Sequence, residues 1–316
     1  MTETLFVTGA SGQLGRAVIH HLLASEGVAP GRILAGTRDP SKLADLAARG
    51  IRVVALDFEQ PAGMAQAFAG VGRLLLISTD ALDRPGRRLA QHHAAVAAAR
   101  AAGVGHVLYT SMPNPEDSLV PFAPDHLGTE VALRESGLGW SILRNAWYQE
   151  NLLMELGAAL ERGQWTTAAG EGRYAPISRE DCARAAAAAL AGKAEAGRIY
   201  NLSGPELLAM DDIAAHASEV FGRPVVAVKL DEATRAGILV QAGLPPFIAP
   251  VLVASEANIR AGKFALLSDD VRALTGRAPA PLAATCSISS GVLWVACTNC
   301  QRASGLSALH NHCMGR

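Results

Sequence analysis

Three evenly spaced glycines near the start of the chain indicate a phosphate-binding turn. Gly9, Gly12 and Gly15 follow the strand-like run Thr4–Thr8 and open the helical pattern Gln13–Ser25. In that context the first glycine permits a tight turn, the second lets the backbone approach a diphosphate, and the third lets the helix pack close to the strand. Amide groups at the helix N-terminus then attract negative charge. The pattern favours a dinucleotide site over a ligand-free turn. Its candidate cofactor contacts are Thr8, Gly9, Ala10, Ser11, Gly12, Gln13 and Leu14.

The residue after the second predicted strand indicates which dinucleotide binds. NAD-specific sites place Asp or Glu there for the ribose 2′-hydroxyl, whereas the strand Arg32–Thr37 is followed by Arg38. A guanidinium suits a 2′-phosphate and offers NAD little. Lys42 lies one helical turn further, and Asp39, which precedes Pro40, is interpreted as a cap of the next helix. The pattern favours NADPH over NADH, the alternative being that Arg38 is a solvated surface charge.

Polar residues also follow three further predicted strands, at the edge of a parallel sheet where ligands bind. Each of them is equally compatible with a helix cap or a turn. These candidate cofactor contacts are Asp57, Phe58, Ser78, Thr79, Thr110 and Ser111.

The residue pair that usually reduces ketones is missing. Short-chain dehydrogenases with that activity carry Tyr-x-x-x-Lys, whose tyrosine protonates the developing alkoxide. None of the four tyrosines has a lysine four positions further on. The residues at those positions, after Tyr109, Tyr148, Tyr174 and Tyr200, are Pro113, Leu152, Ser178 and Gly204. Without a positioned acid, hydride transfer is easiest to acceptors whose product anion is already stabilised. We therefore assign no catalytic residue, and we expect quinones, azo dyes or cationic dyes rather than simple ketones.

The elements that would position these residues alternate between strand and helix up to residue 145. This alternation predicts right-handed crossovers and a parallel sheet, hence an α/β fold with a Rossmann-type doubly wound sheet over residues 1–145. The other predicted strands are Arg52–Leu56, Arg73–Ser78, His106–Thr110 and Trp140–Leu143, with a short helical piece between the first two of them. The other predicted helices are Ser41–Arg49, Arg84–Ala102 and Pro124–Ser136. His92 and His93 are adjacent on the long predicted helix Arg84–Ala102 and are expected to be solvated.

Residues 146–283 predict a smaller mixed α/β lobe that covers the substrate and returns some elements to the sheet. Its loops carry the material of an apolar pocket, namely Trp147, Tyr148, Trp165, Tyr174, Pro245 and Phe247. Predicted helices are Asn151–Arg162, Arg179–Ala191, Met210–Phe221, Asp231–Ala242 and Pro246–Ala261, and predicted strands Arg198–Leu202 and Val225–Val228.

Composition excludes several classes of function. A net charge of −1 favours neither nucleic acid nor an anionic membrane as a partner. The first 285 residues contain one cysteine, Cys182, which fits a reducing compartment. No signal peptide or membrane span is recognisable, so we expect a cytoplasmic protein. The oligomeric state stays open, with a homodimer among the alternatives.

Residues 284–316 form an atypical cysteine-rich tail that we expect to be disordered or non-native. Cys297 and Cys300, together with His310, His312 and Cys313, resemble a zinc site only superficially, because the second ligand pair has the wrong spacing. We therefore predict no metal.

Several longer stretches resemble a known family. The segments VTGASGQLG, YTS at 109–111, HLGTE at 126–130, LRNAWYQEN at 143–151 and SRED at 178–181 are similar to atypical short-chain dehydrogenases of the NmrA-like group. Within it the likeness is strongest to NADPH-dependent type 2 quinone oxidoreductases and triphenylmethane dye reductases, and it covers about residues 3 to 283.

The resemblance implies roles for further residues. Arg38 would bind the 2′-phosphate, and Arg144 and Asn145 would lie at the nicotinamide end, with Asn145 also facing the acceptor. Trp147 and Tyr148 would form a wall for a flat substrate, or else pack the lobe against the sheet. His126 would touch the nicotinamide ribose, unless it is a surface or core residue. Arg179 would reach the cofactor or pair with a neighbouring acidic residue, Glu180 or Asp181.

Two functions follow from these observations. The first is an NADPH-dependent oxidoreductase that passes hydride to a quinone-like or dye-like acceptor. The second is a dinucleotide-binding redox sensor without turnover, which the missing Tyr-Lys pair favours. The likeness of LRNAWYQEN to reductases makes the enzyme the preferred hypothesis.

Overall fold

The computed structural model of the protein describes residues 3–244 and 248–284. Pro245, Phe247 and the tail from residue 285 onward, with its doubtful zinc ligands, lie outside the described residues. The strands of the described part are β1 (Leu5–Val7), β2 (Ile33–Thr37), β3 (Arg52–Ala55), β4 (Arg73–Leu76), β5 (His106–Ser111), β6 (Gly139–Asn145), β7 (Gln164–Thr167), β8 (Arg198–Leu202) and β9 (Val226–Lys229).

Helices alternate with these strands through most of the chain. The α-helices of the described part are α1 (Gln13–Ala24), α2 (Ala44–Ala48), α3 (Met64–Ala67), α4 (Arg87–Ala101), α5 (Ala123–Glu135), α6 (Gln149–Arg162), α7 (Arg179–Ala188), α8 (Met210–Phe221), α9 (Glu232–Gln241), α10 (Ala249–Arg260) and α11 (Asp270–Thr275). None of them is both long and apolar enough to cross a membrane.

Seven strands form one parallel sheet in the order β3-β2-β1-β4-β5-β6-β8. Because the order reverses between β1 and β4, the carboxyl ends of these two strands flank the crevice where ligands bind in such sheets. The strands read as apolar runs because helices cover both faces; β2 and β5 are buried along their whole length. Phe6 of β1 packs edge-on against Phe68, with ring centroids 5.2 Å apart, in this core. The predicted Rossmann-type sheet is confirmed.

The described residues divide into two compact units that the chain visits alternately. The first unit contains residues 3–145, 180–202 and 268–278, and therefore the whole seven-stranded sheet. Its last strand, β8, pairs with β6 from Ser141↔Arg198 to Asn145↔Leu202. The predicted strand Arg198–Leu202 is confirmed with these bounds, and it belongs to the main sheet.

The second unit contains residues 146–179, 203–267 and 279–284, apart from the undescribed positions. β7 and β9 form a two-stranded parallel sheet there. Arg235 on α9 is 1% exposed and donates hydrogen bonds of 2.8 Å to Glu155 on α6 and to Glu256 on α10. This buried ion cluster joins three helices of the unit.

Of the strands and α-helices in the described residues, two were not predicted. β7 has four residues, QWTT, without the alternation of apolar and polar residues that indicates a strand. α11 has six residues and follows directly on the irregular segment 265–269. Both are too short for a periodic signal, so their partners elsewhere in the chain determine their conformation.

Candidate functional site

The glycine turn has the conformation that a close ligand approach requires. Gly9 has a φ of +56°, a backbone conformation that residues other than glycine rarely adopt. A Cβ on Gly15 would overlap the carbonyl oxygen of Gly9 and lie 2.8 Å from the Cα of Ala10. Glycine at position 15 therefore lets α1 start directly against the turn, as the spacing predicts.

The N-terminus of α1 is open to an anion. Its cap residue is Gly12, no side chain caps the helix, and no acidic residue lies in the first turn. The amides of Ala10 and Gly12 donate to the carbonyls of Gly36 and Gly9, whereas the first amides inside a helix have no carbonyl within it to bond. Gln13 and Leu14 carry these amides, so the turn offers donors and a positive dipole end to a phosphate.

Arg38 extends from the adjacent strand beside this turn. The hydroxyl of Thr37 donates to Ser11 Oγ at 3.0 Å, which ties the end of β2 to the glycine turn. Arg38 itself is exposed, and its guanidinium has no ion pair within 3–244 and 248–284. A cation without a partner, next to a turn that suits a diphosphate, is what a 2′-phosphate needs.

Asp39 caps the following turn, which confirms the interpretation from the Asp-Pro pair. Its carboxylate accepts hydrogen bonds from the amide of Ser41 at 3.1 Å and from the hydroxyl of Ser41 at 2.6 Å. The bond from the hydroxyl, and to a smaller extent the bond from the amide, lowers the pKa of Asp39. The acidic residue next to Arg38 is therefore engaged within its own turn.

The predicted residues after β3 and β4 lie at the expected edge but already have internal partners. Asp57 accepts from the amide of Glu59 at 3.0 Å, and half-buried Phe58 packs against the core of the first unit. The amide of Ser78 donates to Thr110 Oγ1 at 2.9 Å, and the amide of Thr79 donates to His92 Nε2 at 3.0 Å. Their contacts with a cofactor stay a prediction.

A buried ion cluster joins the ends of β5 and β6. Ser111 Oγ donates to Glu130 Oε1 at 2.7 Å, and Arg144 donates to both oxygens of the same carboxylate at 2.9 and 2.7 Å. Glu116 accepts a further bond from Arg144. Burial alone would lower the pKa of Arg144, but its hydrogen bonds to Glu130 and Glu116 raise it, so the guanidinium stays charged. Asn145 follows Arg144 and is 9% exposed at the end of β6.

Sequence reasoning missed Glu130. It lies four residues after His126 on α5, at the spacing of the missing Tyr-x-x-x-Lys pair, and that spacing was the available signal. The side chains that complete the cluster come from other elements, so no local pattern in α5 indicates the ion pair.

His126 belongs to a polar layer between α4, α5 and β5. Arg88 Nη2 contacts His126 Nε2 at 2.9 Å, and the hydroxyl of Tyr109 contacts His126 Nδ1 at 2.8 Å. His126 is 4% exposed, and both ring nitrogens have protein partners. Its predicted contact with the nicotinamide ribose is not tested by these bonds and stays a prediction.

The prediction that His92 is solvated was wrong. His92 is fully buried, with Nδ1 3.0 Å from Thr129 Oγ1 and Nε2 accepting the amide of Thr79. His93, the next residue, is exposed as predicted. The alanine-rich helix shows little contrast between its faces, so the sequence did not reveal which histidine points inward.

Acid should destabilise the protein through these buried histidines. Burial, with the charges of Arg88 and His93, lowers the pKa of His92 from 6.5 to about 3, and burial likewise lowers that of His126. Below pH 6.5 the two histidines bind protons in the unfolded chain but stay neutral in the folded chain. Above that pH these histidines do not reduce the free energy of unfolding. On acidification below it, each buried histidine lowers the free energy of unfolding by about 1.4 kcal/mol per pH unit.

Urea denaturation between pH 7 and pH 4.5 measures this loss. We expect His92→Gln to reduce the pH slope of the free energy of unfolding by about 1.4 kcal/mol per pH unit. His93→Gln is the matched control and should leave the slope unchanged. Equal slopes for the parent protein and His92→Gln would contradict the assignment.

The predicted acceptor-side residues lie in the second unit. Trp147 and Tyr148 are half-buried, and the guanidinium of Arg179 lies 5.0 Å from the ring centre of Tyr148. The backbone of this segment is held by hydrogen bonds from Ile177 N to Trp147 O and from Gln149 N to Ile177 O. Of the two acidic residues considered as partners of Arg179, Glu180 contacts His21 and Asp181 contacts Arg184.

Comparison with known proteins places the chain among nicotinamide-dependent reductases. The model of an NAD(P)H-binding family matches residues 9–193. Quinone oxidoreductase 2 of Escherichia coli is 38% identical over 83% of this chain and 90% of its own length.

Two solved structures are similar over 90% of this chain and 99% of theirs, each at 36% identity. The NADPH-dependent quinone oxidoreductase of E. coli in complex with NADPH matches with a TM-score of 0.86. The triphenylmethane reductase of Citrobacter sp. in complex with NADP(H) matches with a TM-score of 0.85.

Proposed function

The chain belongs to the NAD(P)H-binding family and has an NmrA-like oxidoreductase among its relatives, and on this premise we propose that it is an NADPH-dependent oxidoreductase acting on quinone-like or dye-like acceptors. The observation that carries the proposal is the open N-terminus of α1 next to the guanidinium of Arg38, which has no ion pair among the residues that the structure describes. Relatives named for quinone reduction and structures with NADPH or NADP(H) support it.

The residues of the first unit fit NADPH. Because Gly15 carries no side chain, α1 begins directly against the turn, and its N-terminus, which no side chain caps, is available to a diphosphate. Arg38 would hold the 2′-phosphate, and the engaged carboxylate of Asp39 leaves that side of the site to the cation. Asn145 and the cluster around Arg144 would define the nicotinamide end of the site.

When bound, NADPH supplies a hydride to the acceptor. The chain's own contribution is to hold and orient the reactants and to exclude water around them. Glu130 and Arg144 fix the ends of β5 and β6, which carry Ser111 and Asn145. Quinones and delocalised dyes need no positioned acid, since their product anion is stabilised within the acceptor, and solvent or a hydroxyl completes protonation.

The remaining assignments are part of the same proposal. Residues 1–145 form the cofactor domain and residues 146–283 the substrate lobe, in which Trp147 and Tyr148 contact a flat acceptor. His126, Arg179 and the residues after β3, β4 and β5 complete the cofactor contacts. The protein acts in the cytoplasm on small molecules, and a homodimer is compatible with this account.

A panel of acceptors tests the reaction type. At a fixed NADPH concentration we expect reduction of a soluble benzoquinone, a triphenylmethane dye and an azo dye. A simple aliphatic ketone should react at least about 100-fold more slowly, because general acid catalysis contributes about 10²–10⁴-fold where it is present. Product formation is followed by the absorbance of each acceptor. Ketone reduction at a comparable rate would contradict the argument from the missing acid.

A further inference from the structure

The turn after β2 contains both a cation and an anion, and only one of them suits NADPH. Arg38 and Asp39 are neighbours at the position that distinguishes NADP from NAD. A free carboxylate there would accept the 2′-hydroxyl of NAD and repel a 2′-phosphate. A preference for NADPH therefore requires that the Asp39 carboxylate be held away from the ribose 2′ position.

Hydrogen bonds fix the turn from both sides. Thr37 Oγ1 donates to Ser11 of the glycine turn and accepts the amide of Asp39 at 3.3 Å. Beyond it, the Asp39 carboxylate is held by the amide and the hydroxyl of Ser41. The run Ser11–Thr37–Asp39–Ser41 thus connects the phosphate-binding turn to the start of the next helical segment.

The far end of the segment is anchored to α1. Arg16, in the first turns of that helix, donates to the carbonyl oxygen of Lys42 and to Asp45 Oδ2, the latter at 2.9 Å. The segment 37–45 is therefore attached at both ends to the elements that form the phosphate site. Its one carboxylate next to Arg38 is turned toward Ser41.

We propose that Ser41 is a specificity-determining residue that keeps the Asp39 carboxylate in its helix cap, so that Arg38 alone faces the ribose 2′ position. This inference rests on the proposed use of NADPH and adds the residue that maintains the preference. The hydroxyl bond of 2.6 Å is the shorter of the two that Ser41 makes. Both bonds end on Oδ1 of Asp39, so loss of the hydroxyl leaves that oxygen held by the backbone amide alone, and the carboxylate can turn out of its cap toward the cofactor.

Calorimetric titration of NADP⁺ and NAD⁺ tests the proposal through binding alone. We expect Ser41→Ala to lower the NADP⁺-to-NAD⁺ affinity ratio about fivefold, the effect of one nearby surface charge. The double variant Ser41→Ala/Asp39→Asn should restore the ratio, because the released side chain no longer carries charge. Restoration separates charge release from a merely structural effect.

Thr234→Ala provides a matched control in the second unit. Asp231 is also a helix N-cap held by one residue: its Oδ1 accepts from the amide of Thr234 at 2.9 Å and its Oδ2 from the hydroxyl of Thr234 at 2.7 Å. This variant should leave the affinity ratio unchanged. An unchanged ratio in Ser41→Ala, or a reduced ratio that the double variant does not restore, would overturn the role of Ser41 alone. Absence of NADP⁺ preference in the parent protein would instead refute the proposed cofactor.

Discussion

Replacing Arg38 with alanine is expected to raise the Kd for NADPH by about 10- to 100-fold, while the Kd for NADH changes little. The range follows from about 1.5–3 kcal/mol for hydrogen bonds to a charged group, with tenfold for each 1.4 kcal/mol. Arg38 is exposed and has no ion pair among the described residues. Its removal therefore leaves no protein carboxylate without a partner, and the effect should be confined to binding.

Fluorescence titration with each reduced cofactor measures this effect. Arg49→Ala is a suitable control, since Arg49 is an exposed arginine at the end of α2. We expect the control to bind NADPH as the parent protein does. If Arg38→Ala weakened NADPH and NADH binding equally, the guanidinium would not be reading the 2′-phosphate.

Replacing Glu130 with glutamine is expected to lower the free energy of unfolding by about 3–5 kcal/mol, the usual cost of removing one partner of a buried ion pair. The Glu130 side chain is 0% exposed and accepts bonds from Ser111, Arg134 and Arg144. The variant leaves the Arg144 guanidinium buried with one acidic partner, Glu116. Because these contacts join α5 to the ends of β5 and β6, the loss should also weaken cofactor binding.

Urea denaturation with Glu116→Gln as the control separates burial from pairing. Glu116 and Glu130 both contact Nη2 of Arg144, but the side chain of Glu116 is 48% exposed. An exposed ion pair contributes about 0–1 kcal/mol, so the control should lose no more than that. Similar losses in both variants would show that the cluster is not stabilised by the buried carboxylate.

The parts of this molecule that were predictable from sequence are those with local signals. Gly9, Gly12 and Gly15 indicate the turn because their spacing, the preceding strand and the following helix lie within one short segment. Asp39 before Pro40 indicates a cap for the same reason, and the structure confirms it. The parallel sheet follows from the alternation of apolar runs with helical patterns.

The parts that were not predictable depend on partners from distant segments. His92 is buried because Thr79, Tyr109 and Thr129 surround its ring, and nothing within the alanine-rich α4 indicates that. Glu130 pairs with Arg144 across two elements. Within the described part of the chain, the four-residue β7 pairs with β9, more than 50 residues further on. In each case tertiary contacts, rather than local sequence, decide the conformation.

The central claim is that the chain transfers hydride from NADPH to a quinone-like acceptor. The most direct test is the oxidation of NADPH, followed at 340 nm, with a simple benzoquinone and the full chain, beside the same assay with NADH. The account predicts saturable turnover that prefers NADPH. Tight binding of NADPH without turnover, with quinones and dyes alike, would contradict it and would identify the chain as a dinucleotide-binding sensor.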